Sequence, residues 1–181
     1  MTGAKILTSH TVFSSKDFKV NHVKIKRDGK IIEKDIIEDT PGVWILPYTE
    51  NGEIYLASEY RDAFGKYIIN CIGGKIDSRY DPLTTAKKEL KEEAGLNAST
   101  WLHAATWESS WRLHKKMYIF FAKNLVKERQ HLEADEKIQI IKFTLTEALT
   151  KIENGEIVGG LDIAVILLFD KYKREGKLKK N

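Results

Sequence analysis

The chain has 181 residues, of which 42% are hydrophobic and 31% are charged, and its formal net charge is +4 at pH 7. This composition supplies enough apolar side chains for one well-buried core, and the chain is too short for us to expect two ordinary domains. The longest apolar run, Ile163 to Phe169, is far shorter than the roughly 20 residues that cross a bilayer, which excludes a membrane-spanning helix.

The charge and the cysteine content also limit the partners and the compartment. Much of the positive excess lies in the C-terminal segment Lys171 to Asn181. A basic run alone is a weak signal for nucleic acid, so we expect a solvated C-terminus and no nucleic-acid partner. The single cysteine, Cys71, cannot form an intrachain disulfide, and no signal-peptide pattern begins the chain. We therefore expect a cytoplasmic protein.

Turn signals divide the first part of the chain into strands. In residues 1–40, short apolar stretches alternate with turns, which predicts a small antiparallel β-meander. Asp28-Gly29 supplies the positive φ angles of a two-residue hairpin turn. Asn51-Gly52 predicts a second hairpin, between VWILPY and EIYLASEY. The apolar segment YIINCIGG then predicts a strand that runs into paired glycines.

The next element is a helix whose two ends are marked in the sequence. Asp81 can cap the free amide groups of a first turn, and Pro82 suits the first helical position. Gly95 is well placed to end the helix. These signals predict a helix from about Pro82 to Ala94.

The remaining segments mix strands and helices. Strand patterns occupy WLHAATWESSW, KMYIFFAKNL and KIQIIKFTL, and helix patterns occupy TEALTKIENG and LDIAVILLFDKYKR. This order lacks regular βαβ alternation. It therefore predicts an α+β fold, with an α/β/α sandwich around a mixed β-sheet and the antiparallel β-meander at the N-terminus.

Three carboxylates are crowded on the predicted helix. Glu89, Glu92 and Glu93 share one helical face, because positions i, i+3 and i+4 are neighbours on a helix surface. A solvated face relieved by neighbouring lysines would explain them. A divalent-cation site would also explain them, since clustered hard oxygen ligands suit Mg²⁺ or Mn²⁺. The paired glycines just before this helix favour the cation site, because they allow the backbone to approach a ligand.

The segment GGKIDSRYDPLTTAKKELKEEAGL resembles the signature of the Nudix hydrolases, which cleave nucleoside diphosphates linked to another moiety. The residues that match that signature in register are Gly74, Glu89, Leu90, Glu92, Glu93, Gly95 and Leu96. Two positions depart from it, since Tyr80 replaces a glutamate and Lys88 replaces an arginine. In the family, the glutamate and arginine at these two positions mainly order the loop-helix-loop. The resemblance therefore implies that the contacts supporting this loop have changed while the metal ligands are kept. A degenerate, inactive site is the alternative.

The resemblance extends over nearly the whole chain. Residues 38–77 and 134–169 are similar to segments of ADP-ribose pyrophosphatases and related nucleotide-sugar hydrolases. It implies Mg²⁺- or Mn²⁺-dependent hydrolysis of a nucleoside diphosphate sugar, ADP-ribose first, to a nucleoside monophosphate and a sugar phosphate. It also implies a division into residues 1–40, which would form a domain-swapped homodimer, and a Nudix domain of residues 41–181.

The same resemblance assigns metal ligands and substrate contacts. The Gly73 carbonyl, Glu89 and Glu93 would bind metal, and Glu92 would help to hold a further ion. Arg61 would contact the pyrophosphate, for which a guanidinium offers a planar fork of donors.

Other substrate contacts remain open between alternatives. Trp44 would either stack on a base or pack within the sheet. The general base would be Glu133 or Glu136, in the loop HLEADEKI. The segment WESSWRLHKK lacks the proline found in ADP-ribose pyrophosphatases, so Trp111 and Arg112 would recognise a different group on the substrate.

Two other functions fit the same residues. One is a Nudix hydrolase for another substrate, such as GDP-mannose, another nucleotide sugar or a dinucleotide. The other is a nucleotide-binding protein that has lost turnover through Tyr80 and Lys88.

Overall fold

The computed structural model describes residues 3–132 and 136–179 of the chain. Its strands are β1 (Lys5–Ser14), β2 (Phe18–Arg27), β3 (Lys30–Asp39), β4 (Gly42–Pro47), β5 (Ile54–Arg61), β6 (Lys66–Asn70), β7 (Leu96–Glu108), β8 (Leu113–His114), β9 (Lys116–Lys127) and β10 (Ile138–Phe143). Its α-helices are α1 (Pro82–Ala94), α2 (Leu145–Glu153) and α3 (Gly160–Arg174), followed by a short 3-10 helix at Lys177–Lys179. Within the described residues, every helix is too short or too polar to cross a membrane.

The chain forms two compact units. One comprises Met1–Gly42 and Thr106–Met117, and the other comprises Val43–Ala105 and Tyr118–Asn181. The division into domains of residues 1–40 and 41–181 stays a prediction.

The first unit is built on a four-stranded sheet. Strands β1, β2 and β3 pair antiparallel in sequence order, and β8 adds to β3 in parallel. The hairpin between β2 and β3 turns at Asp28 and Gly29, whose φ angles are 50° and 78°. The predicted meander and its turn are therefore confirmed.

Among the described residues, two three-stranded sheets, in the orders β10-β5-β6 and β4-β9-β7, have most of their residues in the second unit. The adjacent residues Phe120 and Phe121 of β9 point to opposite faces of their sheet, as neighbouring strand residues do. Phe120 belongs to the buried cluster that contains Leu90 of α1. The Phe121 ring packs edge-on against Phe169 of α3, with 5.3 Å between ring centroids. Helices therefore cover both faces of β9, and the predicted α+β class is confirmed.

The predicted hairpin at Asn51-Gly52 is wrong in one respect. The chain does turn there, since the Gly52 amide donates to the Thr49 carbonyl at 2.9 Å. However, β4 and β5 belong to different sheets and meet at an isolated bridge between Tyr48 and Ile54. Pro47 ends β4 and has no amide hydrogen with which to extend a ladder, so the two strands diverge.

Both predicted ends of helix α1 are confirmed. The Asp81 side chain accepts hydrogen bonds from the amides of Leu83 and Thr84, at 2.9 and 3.0 Å. At the other end, Gly95 adopts a φ of 58° and its amide donates to the Lys91 carbonyl. The register of α1 is thereby fixed at both ends.

A buried carboxyl group links helix α3 to the segment after β6. Asp162 lies in the first turn of α3, and its Oδ1 accepts the Cys71 amide at 2.9 Å. Burial raises the pKa of Asp162 above its ordinary value of 3.8, although the hydrogen bonds from Cys71 oppose this shift. Gly159 lacks the Cβ atom that would lie 2.1 Å from Asp162 Oδ2. The carboxyl group is thus tightly enclosed.

We expect the stability of Asp162→Asn, measured relative to the wild type, to increase as pH rises. An acid whose pKa is raised by folding binds its proton more tightly in the folded chain. The free energy of unfolding therefore falls as pH rises from 3.8 through the raised folded-state value. Asparagine keeps the acceptor for Cys71 but carries no charge. Denaturant titrations of both proteins between about pH 4 and pH 7 measure the difference, and a difference that stays constant with pH would contradict this assignment.

Candidate active site

The site begins where the chain leaves β6 and passes beside β4. The Ile45 amide donates to the Ile72 carbonyl at 2.7 Å, and the Val43 amide donates to the Gly74 carbonyl at 2.9 Å. A Cβ atom on Gly73 would lie 2.0 Å from the Val43 carbonyl oxygen. Gly73 therefore has to be glycine for the backbone to come this close to β4.

Helix α1 places two carboxylates against this backbone. The Gly73 amide donates to Glu93 Oε2 at 3.1 Å. The carboxyl carbon of Glu89 lies 2.7 Å from the point that a Cβ on Gly74 would occupy. Glu89 and Glu93 are half-buried, whereas Lys88 is exposed. These two glutamates therefore do not belong to a fully solvated face.

Negative charge accumulates around Glu93. Burial is the main reason that the pKa of Glu93 rises to about 8, and repulsion from Glu89, Glu136 and Glu59 adds to the rise. The hydrogen bond from Gly73 opposes it. Three other carboxyl groups thus repel charge on Glu93, and a bound cation would relieve this repulsion.

The donor set at this position fits Mg²⁺. Over residues 3–132 and 136–179, no three histidine, cysteine, aspartate or glutamate side chains converge closely enough to hold a metal by themselves. Mg²⁺ usually keeps several waters and takes only one or two carboxylates, completing its shell with substrate phosphates. Because the Gly74 carbonyl already accepts the Val43 amide, the Gly73 carbonyl is the better backbone ligand. Glu89, Glu93 and Gly73 therefore suit such an ion.

The third glutamate of the helix has a different neighbour. Glu92 forms an ion pair with Lys88, one turn away, at 2.5 Å. Tyr80, the other departure from the signature, is exposed, and the Arg79 guanidinium lies 5.6 Å from its ring centroid. Participation of Glu92 in metal binding stays a prediction.

A cavity of about 500 Å³ contains the predicted Arg61 and Glu136. Its lining residues come from the β5–β6 hairpin and from the segment before β10, and they are Glu59, Tyr60, Arg61, Asp62, Tyr67, Glu136 and Lys137. Arg61 forms an ion pair with Glu59 at 2.7 Å, and the Asn70 amide group also donates to Glu59, at 3.2 Å. Glu59 therefore holds the Arg61 guanidinium in place, and the hydrogen bond from Asn70 in turn fixes the Glu59 carboxylate.

The other predicted contacts lie as follows. Trp44 is half-buried in β4, between the fully buried Val43 and Ile45, which agrees with packing in the sheet. Trp111, in the first unit, is 74% exposed, and the Arg112 guanidinium lies 4.6 Å from its ring centroid. Substrate contacts by these residues stay predictions.

Glu133, one of the two residues predicted as the general base, lies outside the described residues. Glu136, the other, is half-buried and lines the cavity. The catalytic role of either stays a prediction.

Several cavity residues escaped the sequence-based prediction, namely Glu59, Tyr60, Asp62, Tyr67 and Lys137. The register of the β5–β6 hairpin is the sequence signal that could have identified the two tyrosines. A turn at residues 61–65 makes Tyr60 and Tyr67 direct cross-strand partners. Recognition of that turn would have placed both tyrosines beside Arg61.

Several known proteins resemble this chain over most of its length. The ADP-ribose pyrophosphatase of Bacillus subtilis (strain 168) is 27% identical over 158 residues, which cover 84% of this chain and 85% of that protein. The ADP-ribose pyrophosphatase of Mycobacterium tuberculosis (strain ATCC 25618 / H37Rv) is 27% identical over 168 residues, or 89% of this chain and 80% of that protein. The methanol dehydrogenase activator of Bacillus methanolicus is 26% identical over 163 residues, or 84% of this chain and 88% of that protein.

A solved structure and a family match complete the comparison. The crystal structure of an ADP compounds hydrolase matches with a TM-score of 0.85 and 20% identity, over 97% of both chains, and so shows the same fold. Residues 38–158 match the NUDIX domain, and this match confirms the resemblance seen in the sequence. Since the matched residues make up more than half of the chain, the chain belongs to the Nudix family and is a hydrolase of that family.

Proposed function

We propose that the chain hydrolyses the pyrophosphate of a nucleoside diphosphate sugar in the presence of Mg²⁺, with ADP-ribose as the first substrate to test. The products are a nucleoside monophosphate and a sugar phosphate. The observation that carries this proposal is the cluster of Glu89 and Glu93 on the Gly73–Gly74 backbone. Two relatives of similar length are ADP-ribose pyrophosphatases.

The charges in the second unit explain why a cation is needed. A pyrophosphate carries negative charge, and it approaches a region that contains Glu59, Glu89, Glu93 and Glu136. Enzymes of this family generally use divalent ions. Glu89, Glu93 and the Gly73 carbonyl would hold such an ion, which would offset part of this charge and polarise a phosphoryl oxygen.

Residues of the chain itself can bind the phosphates, supply the general base and orient a metal ligand. Arg61 can bind the pyrophosphate oxygens through its planar fork of donors, and Lys137 adds a second cation to the same cavity. Glu136 is the described carboxylate that we assign as general base, because it lines this cavity and lies within electrostatic range of Glu93. Gly73 orients Glu93 through its amide.

The first experiment is a substrate panel with Glu93→Gln as the test variant. ADP-ribose, GDP-mannose, other nucleotide sugars and a dinucleotide are incubated with Mg²⁺ or Mn²⁺, and a coupled phosphatase releases phosphate from the products. We expect metal-dependent turnover that falls at least about 100-fold in Glu93→Gln, the scale of losing one group that stabilises transition-state charge.

The matched control is Glu153→Gln, which makes the same change at an exposed position near the end of α2. It should keep wild-type turnover. Equal activity of Glu93→Gln and Glu153→Gln would remove Glu93 from the metal site. A folded wild type without turnover on any substrate would overturn the proposed function.

A second test uses glycine substitutions that differ in their surroundings. A Cβ on Gly74 would meet the Glu89 carboxyl group at 2.7–2.9 Å, whereas a Cβ on Gly160 would meet nothing within 4 Å. Neither glycine adopts a positive φ. We expect Gly74→Ala to weaken Mn²⁺ binding about tenfold or more, because it displaces Glu89. Gly160→Ala should leave binding unchanged.

Calorimetric Mn²⁺ titration of the two variants and the wild type makes this comparison. Thermal unfolding shows whether Gly74→Ala keeps its fold. A folded Gly74→Ala protein with wild-type Mn²⁺ affinity would place the ion away from Glu89.

We further propose that the chain is a cytoplasmic homodimer that associates through β1. This strand is exposed along its whole length and lies at the edge of its sheet. It carries the exposed apolar residues Ile6, Leu7, Val12 and Phe13. An exposed apolar edge strand offers unpaired backbone groups and apolar side chains to another chain, so it can serve as a pairing surface. The cytoplasmic assignment rests on the single, buried cysteine.

Light scattering coupled to size-exclusion chromatography tests the dimer. We expect twice the mass of one chain for the wild type, and the mass of one chain for a Val12→Lys, Phe13→Lys double variant, because lysine blocks apolar association at an edge. Val126→Lys, at another exposed apolar position, should remain dimeric. A monomeric wild type would contradict the proposed dimer.

A further inference from the structure

The hairpin of β5 and β6 exposes three aromatic side chains. Tyr60 is 45% exposed, Phe64 is 56% exposed and Tyr67 is 55% exposed. Tyr60 and Tyr67 are direct cross-strand partners, and their rings pack edge to face with 5.4 Å between centroids and an interplanar angle of 75°. Aromatic rings left in water forgo the free energy of burial, so an exposed pair beside a cavity is typical of a ligand-binding surface.

Two of these three rings belong to the cavity and one does not. Tyr60 and Tyr67 line the cavity of about 500 Å³, whereas Phe64 lies outside the set of described residues that line it. The same cavity contains the cations Arg61 and Lys137. It therefore presents aromatic surface and positive charge to one ligand.

We propose that Tyr60 and Tyr67 form the stacking surface for the nucleobase of the substrate, while Arg61 and Lys137 receive the adjoining phosphate. This inference rests on the proposed function and names the half of the substrate that the cavity takes. A volume of about 500 Å³ lies within the range of small-molecule sites. Glu59 and Asp62, in the same lining, provide acceptors for ribose hydroxyls or an exocyclic amino group.

This arrangement selects for the base more than for the sugar. Stacking on an aromatic ring needs only a planar π-system, so several nucleobases suit the two tyrosines. A pyrophosphate compound without a base would lose that contact.

The test compares the binding of AMP and ribose 5-phosphate in the presence of Mg²⁺. Neither compound contains a pyrophosphate, so binding is measured without turnover. Isothermal titration is performed on the wild type, Tyr60→Leu, Tyr67→Leu and Tyr67→Phe. We expect the wild type to bind AMP about five- to 100-fold more tightly than ribose 5-phosphate, the range that base stacking provides.

Each leucine variant should lose most of that preference and keep its affinity for ribose 5-phosphate. Tyr67→Phe should keep the preference, because phenylalanine retains the ring. Phe64→Leu is the matched control, since it removes an exposed ring of the same hairpin outside the cavity lining, and it should behave as the wild type. Circular dichroism confirms that each variant is folded.

Two outcomes would overturn this inference. One is equal affinity of the wild type for AMP and ribose 5-phosphate. The other is a loss of preference in Phe64→Leu as large as that in Tyr67→Leu. Failure of the proposed function gives a different result. If the protein prefers AMP through Tyr60 and Tyr67 but hydrolyses no nucleotide sugar, the nucleobase site is supported and the proposed hydrolysis is contradicted.

Discussion

The hydrogen bond from the Gly73 amide to the Glu93 carboxylate is the contact on which the site depends. It requires backbone without a side chain, because β4 leaves no room for a Cβ at Gly73. It also requires a glutamate that can be half-buried among other carboxylates. The structure meets both demands by placing the C-terminal half of α1 over the segment that follows β6. A change in either element would separate the helix from the backbone.

Burial of the apolar side of α1 decides which way its charges point. Ala86 and Leu90 are fully buried in the cluster that also contains Ile45 and Ile72. Once these residues face the core, helical periodicity turns Glu89 and Glu93 toward the paired glycines. The lysines of the same helix remain exposed. Glu89 and Glu93 are therefore held in place by apolar packing elsewhere on the helix. The solvated-face interpretation of the sequence accounts for the lysines and for Glu92, which pairs with Lys88.

Features that depend on neighbouring residues could be predicted from the sequence, and features that depend on distant segments could not. Asp81 and Gly95 define the ends of α1 through contacts within one helical turn, so both ends were predictable. Asn51-Gly52 also marks a turn, but the separation of β4 and β5 into different sheets depends on their partners, β9 and β10. The cavity combines a hairpin with Glu136 and Lys137, which lie far along the chain. No local pattern brings these segments together.

Under the proposed function, the mixture of charges in the cavity would couple metal binding to substrate binding. Glu59 compensates the charge of Arg61 by an ion pair at 2.7 Å, and Glu136 lies in the same lining as Lys137. Arg61 is thus already paired before a phosphate arrives, while Glu89 and Glu136 add negative charge near Glu93. A pyrophosphate gains little attraction from such a site until a divalent ion is present. Each ligand then increases the affinity for the other, because the coupling free energy between two bound ligands is reciprocal. Under the proposed function, the charges that hold Arg61 in place would make a divalent cation a condition for substrate binding as well as for the chemical step.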